Sequence, residues 1–172
     1  EPTRRLVANP HTRWDDVTRA LGEGVVLNKL ALLSKTKSDG SVKHRLVWDL
    51  RRSGVNLAVM QGERIVLPRL SDVVADLREL ASTSEDEAFL LGTDVSEAFH
   101  QVPLHESERR FTVAALAGKY FVFKVLVFGS SSAPTVWGRY AAFLDRSTAA
   151  VVGSDPLRLQ VYVDDPLYSC TA

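Results

Sequence analysis

The sequence predicts an α+β fold in which a largely antiparallel sheet carries packed helices and a basic β-hairpin extends from it. Three observations lead there. Of the 172 residues, 45% are hydrophobic and 24% charged, enough apolar material to bury a core. A turn signal, Ser38-Asp39-Gly40-Ser41, separates two extended stretches rich in Lys and Arg. From Phe89 onward the apolar patterns run strand, short turn, two strands, helix and hairpin, without alternation of strand and helix.

The elements follow in chain order. Glu1–Pro10 reads as irregular, and Trp14–Leu21 as a short helix whose Asp15 and Asp16 suit the positive end of the helix dipole. Val25–Leu33 is an apolar run holding Asn28 and Lys29, and Val42–Leu50 resumes the extended pattern. Together they make a hairpin that carries Lys35, Lys37, Lys43, Arg45, Arg51 and Arg52. Between Pro68 and Leu80, the spacing of Leu70, Val73, Val74, Leu77 and Leu80 predicts an amphipathic helix starting near Pro68 or Ser71. A buried strand is expected from Phe89 to Asp94, then a short turn or helix over Ser96–Gln101. Strands Arg110–Leu116 and Tyr120–Phe128 join through Ala117-Gly118-Lys119. Pro134–Leu144 is a helix opening on the proline its first turn favours. Strands Leu157–Val163 and Leu167–Ser169 flank Asp164-Asp165. One compact domain with a hairpin extension is the expected organisation.

Composition excludes several classes. High apolar content and zero net charge exclude disorder. The most apolar stretch, Tyr120–Phe128, contains Lys124 and falls far short of the roughly 20 residues of a membrane helix. The single cysteine, Cys170, excludes an internal disulfide framework and a cysteine-rich zinc site. With no leader pattern visible, an intracellular location, cytoplasm or nucleus, is expected instead of secretion. Charge is unevenly spread: residues 1–56 hold 11 basic and 6 acidic side chains, residues 57–110 hold 5 and 11. That asymmetry suits a surface that holds phosphates beside one that holds cations.

Some motifs fail. Gly118-Lys119 lacks the Gly and Ser/Thr of a phosphate-binding loop, since Val113 and Tyr120 stand there. Gly129-Ser130-Ser131-Ser132-Ala133 lacks the second glycine of a nucleophile elbow. His11, His44, His100 and His105 show no paired-ligand spacing.

Two acidic segments at strand ends remain: Thr93-Asp94-Val95-Ser96-Glu97-Ala98-Phe99 and Tyr162-Val163-Asp164-Asp165-Pro166. Adjacent carboxylates repel, and a divalent cation relieves the repulsion; three carboxylates with phosphate oxygens suit Mg²⁺. On the acids alone a solvated turn is the simpler reading, because Asp-Asp-Pro is a good turn sequence.

The order of the segments changes that balance. From about Val25 to Ser169 the sequence resembles the fingers and palm of reverse transcriptases of retrotransposons and retroviruses. Tyr162-Val163-Asp164-Asp165 looks like the family's Tyr-x-Asp-Asp box, and Asp94 with Val95, Ala98 and Phe99 like its upstream acidic motif. Lys43–Asn56, with Arg45, Val47, Asp49 and Arg51, is similar to the fingers motif, and Phe128-Gly129 before Ser132-Ala133-Pro134 to the segment ahead of the palm helix. Departures are Phe128 where retroviral enzymes carry Gln, Val127 where Pro is common, and Pro166 after the Asp pair.

The resemblance implies an α+β polymerase palm, an antiparallel sheet with packed helices, plus a β-hairpin fingers extension. About 1–57 would be the fingers hairpin region and about 58–172 mostly palm, a partial domain without thumb or ribonuclease H. It implies RNA-directed DNA synthesis from dNTPs on a primed RNA or DNA template, with no membrane partner and an oligomeric state left open. Asp94, Asp164 and Asp165, with the Val95 carbonyl, would hold two Mg²⁺ ions, for which Mn²⁺ could substitute. Lys35 or Lys37 would meet the triphosphate, Arg45 would clamp it, and backbone N–H groups of Glu97 and Ala98 would lie near its phosphates. Phe99 would exclude a ribose 2′-hydroxyl, and Phe128 and Gly129 would floor the nucleotide pocket. The alternatives are a domesticated, non-catalytic nucleic-acid-binding scaffold and another two-metal palm polymerase.

Overall fold

The structure, a computed structural model, describes residues 6–8, 10–153 and 157–171. The irregular opening expected for Glu1–Pro10 lies in large part outside them. Two compact units emerge, one of Glu1–Gly62 with Phe99–Ala133, the other of Glu63–Ala98 with Pro134–Ala172. Helices and antiparallel strands combine in an α+β fold, with one short parallel pairing. Among the described residues no helix is long and apolar enough to cross a membrane.

The first unit holds α1 (Trp14–Leu21), β1 (Leu27–Asn28), β2 (Leu30–Thr36), β3 (Val42–Trp48), α2 (Val55–Ala58), β5 (Val113–Leu116) and β6 (Lys119–Val122), with 3₁₀ turns at Ala98–Gln101 and Glu106–Phe111. β2 and β3 form the expected hairpin, in register from Leu30↔Trp48 to Thr36↔Val42. At its tip the Asp39 carboxylate accepts from the Ser41 N–H at 2.8 Å and hydroxyl at 2.6 Å. These two hydrogen bonds, the hydroxyl first, pull the Asp39 carboxyl below its ordinary value. β6 turns back on β5 through Ala117 and Gly118, both at positive φ, the geometry of a two-residue type I′ turn. The core packs Trp48, Leu50, Ala114, Phe123 and Val127, with Trp48 edge-on to Phe123 at 4.3 Å. Val17 of α1 packs with Val113 and Val122. Buried Asn28 donates to the carbonyls of Phe111 and Val113, which explains a polar residue inside an apolar run.

Both strands of the β5–β6 pair are shorter than expected. The 3₁₀ turn takes up Arg110 and Phe111. Past Val122 the Thr112 hydroxyl donates to the Phe123 carbonyl at 2.8 Å, and Phe123 and Val125 form isolated bridges with Val7 and Pro103 in place of β5.

The second unit holds α3 (Leu70–Thr83), β4 (Ala88–Gly92), α4 (Ala133–Val152), β7 (Leu157–Tyr162) and β8 (Asp165–Thr171). The sheet order is β4-β8-β7, antiparallel throughout. α3 packs on this sheet with Val73 and Leu80 buried, while Leu70 is exposed, so its apolar stripe is narrower than the spacing predicts. The helix starts at Leu70, where the Asp72 carboxylate accepts from the Arg69 N–H at 2.7 Å. α4 runs beyond Leu144 to Val152, and within that extension the Ser147 and Thr148 hydroxyls donate back to the carbonyls of Phe143 and Leu144.

The strand expected to be buried and to reach Asp94 is neither. β4 is the sheet edge, so Phe89, Leu90 and Leu91 stay about half exposed. It stops at Gly92 because the next position pairs with Pro166, which has no N–H. Of two possible bonds only Thr93 N–H to the Pro166 carbonyl forms, at 3.0 Å. Toward β7 the proline costs nothing. Tyr162↔Asp165 closes the two-residue turn as the hydrogen-bonded pair, leaving Val161↔Pro166 as a pair that needs no backbone bonds.

Candidate active site

The three aspartates belong to the second unit. Gly92 pairs with Leu167; continuing that register sets Asp94 opposite Asp165. The Val95 N–H donates to the Asp164 carbonyl at 3.0 Å, so the segment after β4 is tied to the β7–β8 turn. Asp94 and Asp165 are exposed and Asp164 is half-buried. The turn's central residues are Val163 and Asp164, and only Val163 has positive φ, at 59°. That is the pattern of a type II′ turn, which favours glycine at its first position. A β-branched residue there stores about 1–3 kcal/mol of strain. The buried Trp137 of α4 donates its indole N–H to the Val163 carbonyl.

The donor set fits a hard divalent cation: oxygen atoms only, three carboxylates and the Val95 carbonyl, on two segments tied together through the backbone. Yet no three His, Cys, Asp or Glu side chains among the described residues are gathered into a ready-made metal cage. The backbone brings the aspartates to neighbouring positions; their carboxylates do not converge.

A second cluster lies in the first unit. Phe128 is the hub: the Phe99 ring sits 5.0 Å away and tilted, His100 is edge-on at 5.4 Å, and the Arg45 guanidinium stands over the ring at 5.1 Å. Three of the residues singled out in the sequence therefore meet here. The Trp48 N–H donates to the Phe128 carbonyl at 2.8 Å, and Asn56 receives the Ser131 N–H while donating to the Gly129 carbonyl. Gly129 has φ 108°, and a Cβ on it would lie 2.0 Å from the Trp48 carbonyl oxygen. Glycine stands there because two backbones cross.

Arg45, Lys43, Lys35 and Leu33 share one face of the β2–β3 hairpin, with Lys35 directly opposite Lys43. Like charges so placed repel. Lys37 sits at the turn, its N–H donating to the Ser41 carbonyl. Glu97, in the second unit, adopts φ 51° just before the 3₁₀ turn that opens at buried Ala98.

Sequence reasoning named Lys43 and His100 without giving either a place in the site, and did not single out Trp137. Lys43 is recoverable from its two-residue offset from Arg45. His100 follows Phe99 directly. Trp137 gives no signal, because an aromatic at helical spacing reads as core.

Comparison with known proteins follows the same lines. No curated protein matches the chain. Among solved structures, a foamy viral protease-reverse transcriptase in complex with double-stranded DNA is similar in fold, with a TM-score of 0.57 at 19% identity. The match covers 94% of this chain and 26% of that one, so the chain spans about a quarter of that protein's length. The family model for reverse transcriptase (RNA-dependent DNA polymerase) matches residues 35–172. The chain belongs to the reverse transcriptase family.

Proposed function

We propose that the chain is the catalytic segment of an RNA-directed DNA polymerase that extends a primer with dNTPs on a nucleic-acid template. The observation that carries this reading is the backbone tie between Val95 and Asp164, which sets Asp94 opposite Asp165 across neighbouring strand ends. In it, the primer 3′-hydroxyl attacks the α-phosphorus of the nucleotide and pyrophosphate leaves. Asp94, Asp164 and Asp165, with the Val95 carbonyl, would hold two Mg²⁺ ions, which would supply Lewis-acid polarisation of the hydroxyl and phosphate oxygens.

The protein's other groups bind and orient. Arg45 offers a planar fork to the triphosphate, and Lys35 and Lys37 add point charges. Backbone N–H groups of Glu97 and Ala98 face its phosphates, a role that the left-handed Glu97 supports. Phe128 and Gly129 floor the nucleotide pocket. Phe99, braced on Phe128, blocks a 2′-hydroxyl. About 1–57 belongs to the fingers and about 58–172 mostly to the palm.

A non-catalytic nucleic-acid-binding scaffold is the second reading, favoured by the absence of a gathered metal cage among the described residues. Primer extension on an RNA template with Mg²⁺ decides, run on the chain and on its full reading frame. Incorporation of dNTPs is expected, falling at least about a hundredfold in Asp164→Asn. A folded, template-binding protein that incorporates nothing would overturn the polymerase reading, and incorporation of rNTPs instead would point to another palm polymerase.

A further inference from the structure

We infer that Trp137 is a positioning residue, whose indole N–H locks the strained β7–β8 turn in the one conformation that sets Asp164 and Asp165. The inference rests on the polymerase reading of that turn and extends it to a residue outside the acidic motifs.

Two consecutive carbonyls of the turn are held by donors on two different segments. Val163 C=O accepts the Trp137 indole N–H, and Asp164 C=O accepts the Val95 N–H. Fixing both carbonyls fixes the peptide planes on either side of the Asp164 Cα, and with them the direction in which its side chain leaves the backbone. The need for a clamp is local. Val163 is β-branched and sits at φ 59°, a conformation that a turn of this sequence would leave if released. Trp137 is suited to hold it: its side chain is 1% exposed and seated on the 20-residue α4, so the indole has a fixed position. A phenylalanine would fill the same space and hold nothing, because it has no N–H. Trp137 touches no reacting group in this account. It acts through the Val163 carbonyl.

Trp137→Phe therefore keeps the ring and deletes only the donor, and Val163→Gly removes the strain that makes the donor necessary. The test compares the chain, each single variant and the double variant, using Mn²⁺ as the probe of the acidic site. In the unsubstituted chain the Trp137 indole N–H signal in NMR should exchange slowly with solvent. Mn²⁺ binding, read by paramagnetic resonance, should weaken about tenfold in Trp137→Phe. In primer extension the same variant should lose about tenfold in kcat, with KM for dNTP moving less than twofold. In the Val163→Gly background, Trp137→Phe should cost less than threefold on both readouts.

Mn²⁺ affinity and kcat both unchanged in Trp137→Phe, in a protein that binds the metal and extends primers, would overturn the positioning role alone. Equal losses with and without Val163→Gly would also overturn it, because the ring would then matter only as packing. A chain that binds no Mn²⁺ and extends no primer, yet keeps the protected indole N–H, would overturn the polymerase reading and this inference with it.

Discussion

Replacing Gly129 by alanine tests whether this glycine is kept for backbone crossing. A Cβ at that position would lie 2.0 Å from the Trp48 carbonyl oxygen and 3.0 Å from its carbon. Both partners are main chain, so no side-chain rotation relieves the overlap. The strands must part by about an ångström, which removes the Trp48 N–H bond to Phe128 and disturbs the two hydrogen bonds of Asn56. Each such bond contributes about 0.5–1.5 kcal/mol, and a non-glycine residue at φ 108° adds about 1–3 kcal/mol of strain. A total loss of about 3–5 kcal/mol follows, among the largest for a single substitution. Urea unfolding followed by tryptophan fluorescence reads it. With m near 2 kcal/mol/M, the midpoint should fall by about 1.5–2.5 M. A fall under about 0.5 M at unchanged m would refute the reasoning, showing that the crossing opens freely.

Other expectations concern the pocket and the titrating groups. Phe99→Ala should relax the preference for dNTP over rNTP by about tenfold to a hundredfold in competitive primer extension, and an unchanged ratio would refute its gating role. Asp145 lines a cleft of about 490 Å³ in the second unit, and burial raises its carboxyl above the ordinary value, partly offset by Arg146. A value raised in the folded state means that the stabilising contribution is present below the unfolded value and is lost as pH rises through the folded one. Asp145→Asn should therefore add less than about 1 kcal/mol of stability at pH 7, because the side chain is only half-buried, read as a higher urea midpoint, with no gain near pH 4. An unchanged or lower midpoint at pH 7 would contradict this.

The parts of the fold that were legible are those fixed by neighbours in sequence. The Asp39-Gly40-Ser41 tip sets the β2–β3 hairpin, and helical spacing sets α3. What was not legible depends on distant partners. Nothing near Gly92 says that β4 must end there; the cause is Pro166, on another strand. Gly129 reads as part of a nucleotide pocket, and its backbone need comes from Trp48. The aromatic cluster around Phe128 was foreshadowed residue by residue, but the share taken by His100 and the stacking of Arg45 are tertiary facts. Trp137 was invisible for the same reason, since its partner is a carbonyl 26 positions away.

Pro166 has a consequence beyond ending an edge strand. Hairpins can misalign by one residue, and such a slip carries every side chain to the opposite face of the sheet. Here both slips are blocked. A turn one residue later would make Val163 and Pro166 the hydrogen-bonded pair; one residue earlier, Leu159 and Pro166 would take that place. Either demands a donor that proline lacks. The native alignment, with Val161 opposite Pro166, is the one of the three in which the β7–β8 pairing asks nothing of the missing N–H. The proline beside the two aspartates thus works as a proofreading device for the chain's own folding, fixing which residues become the turn.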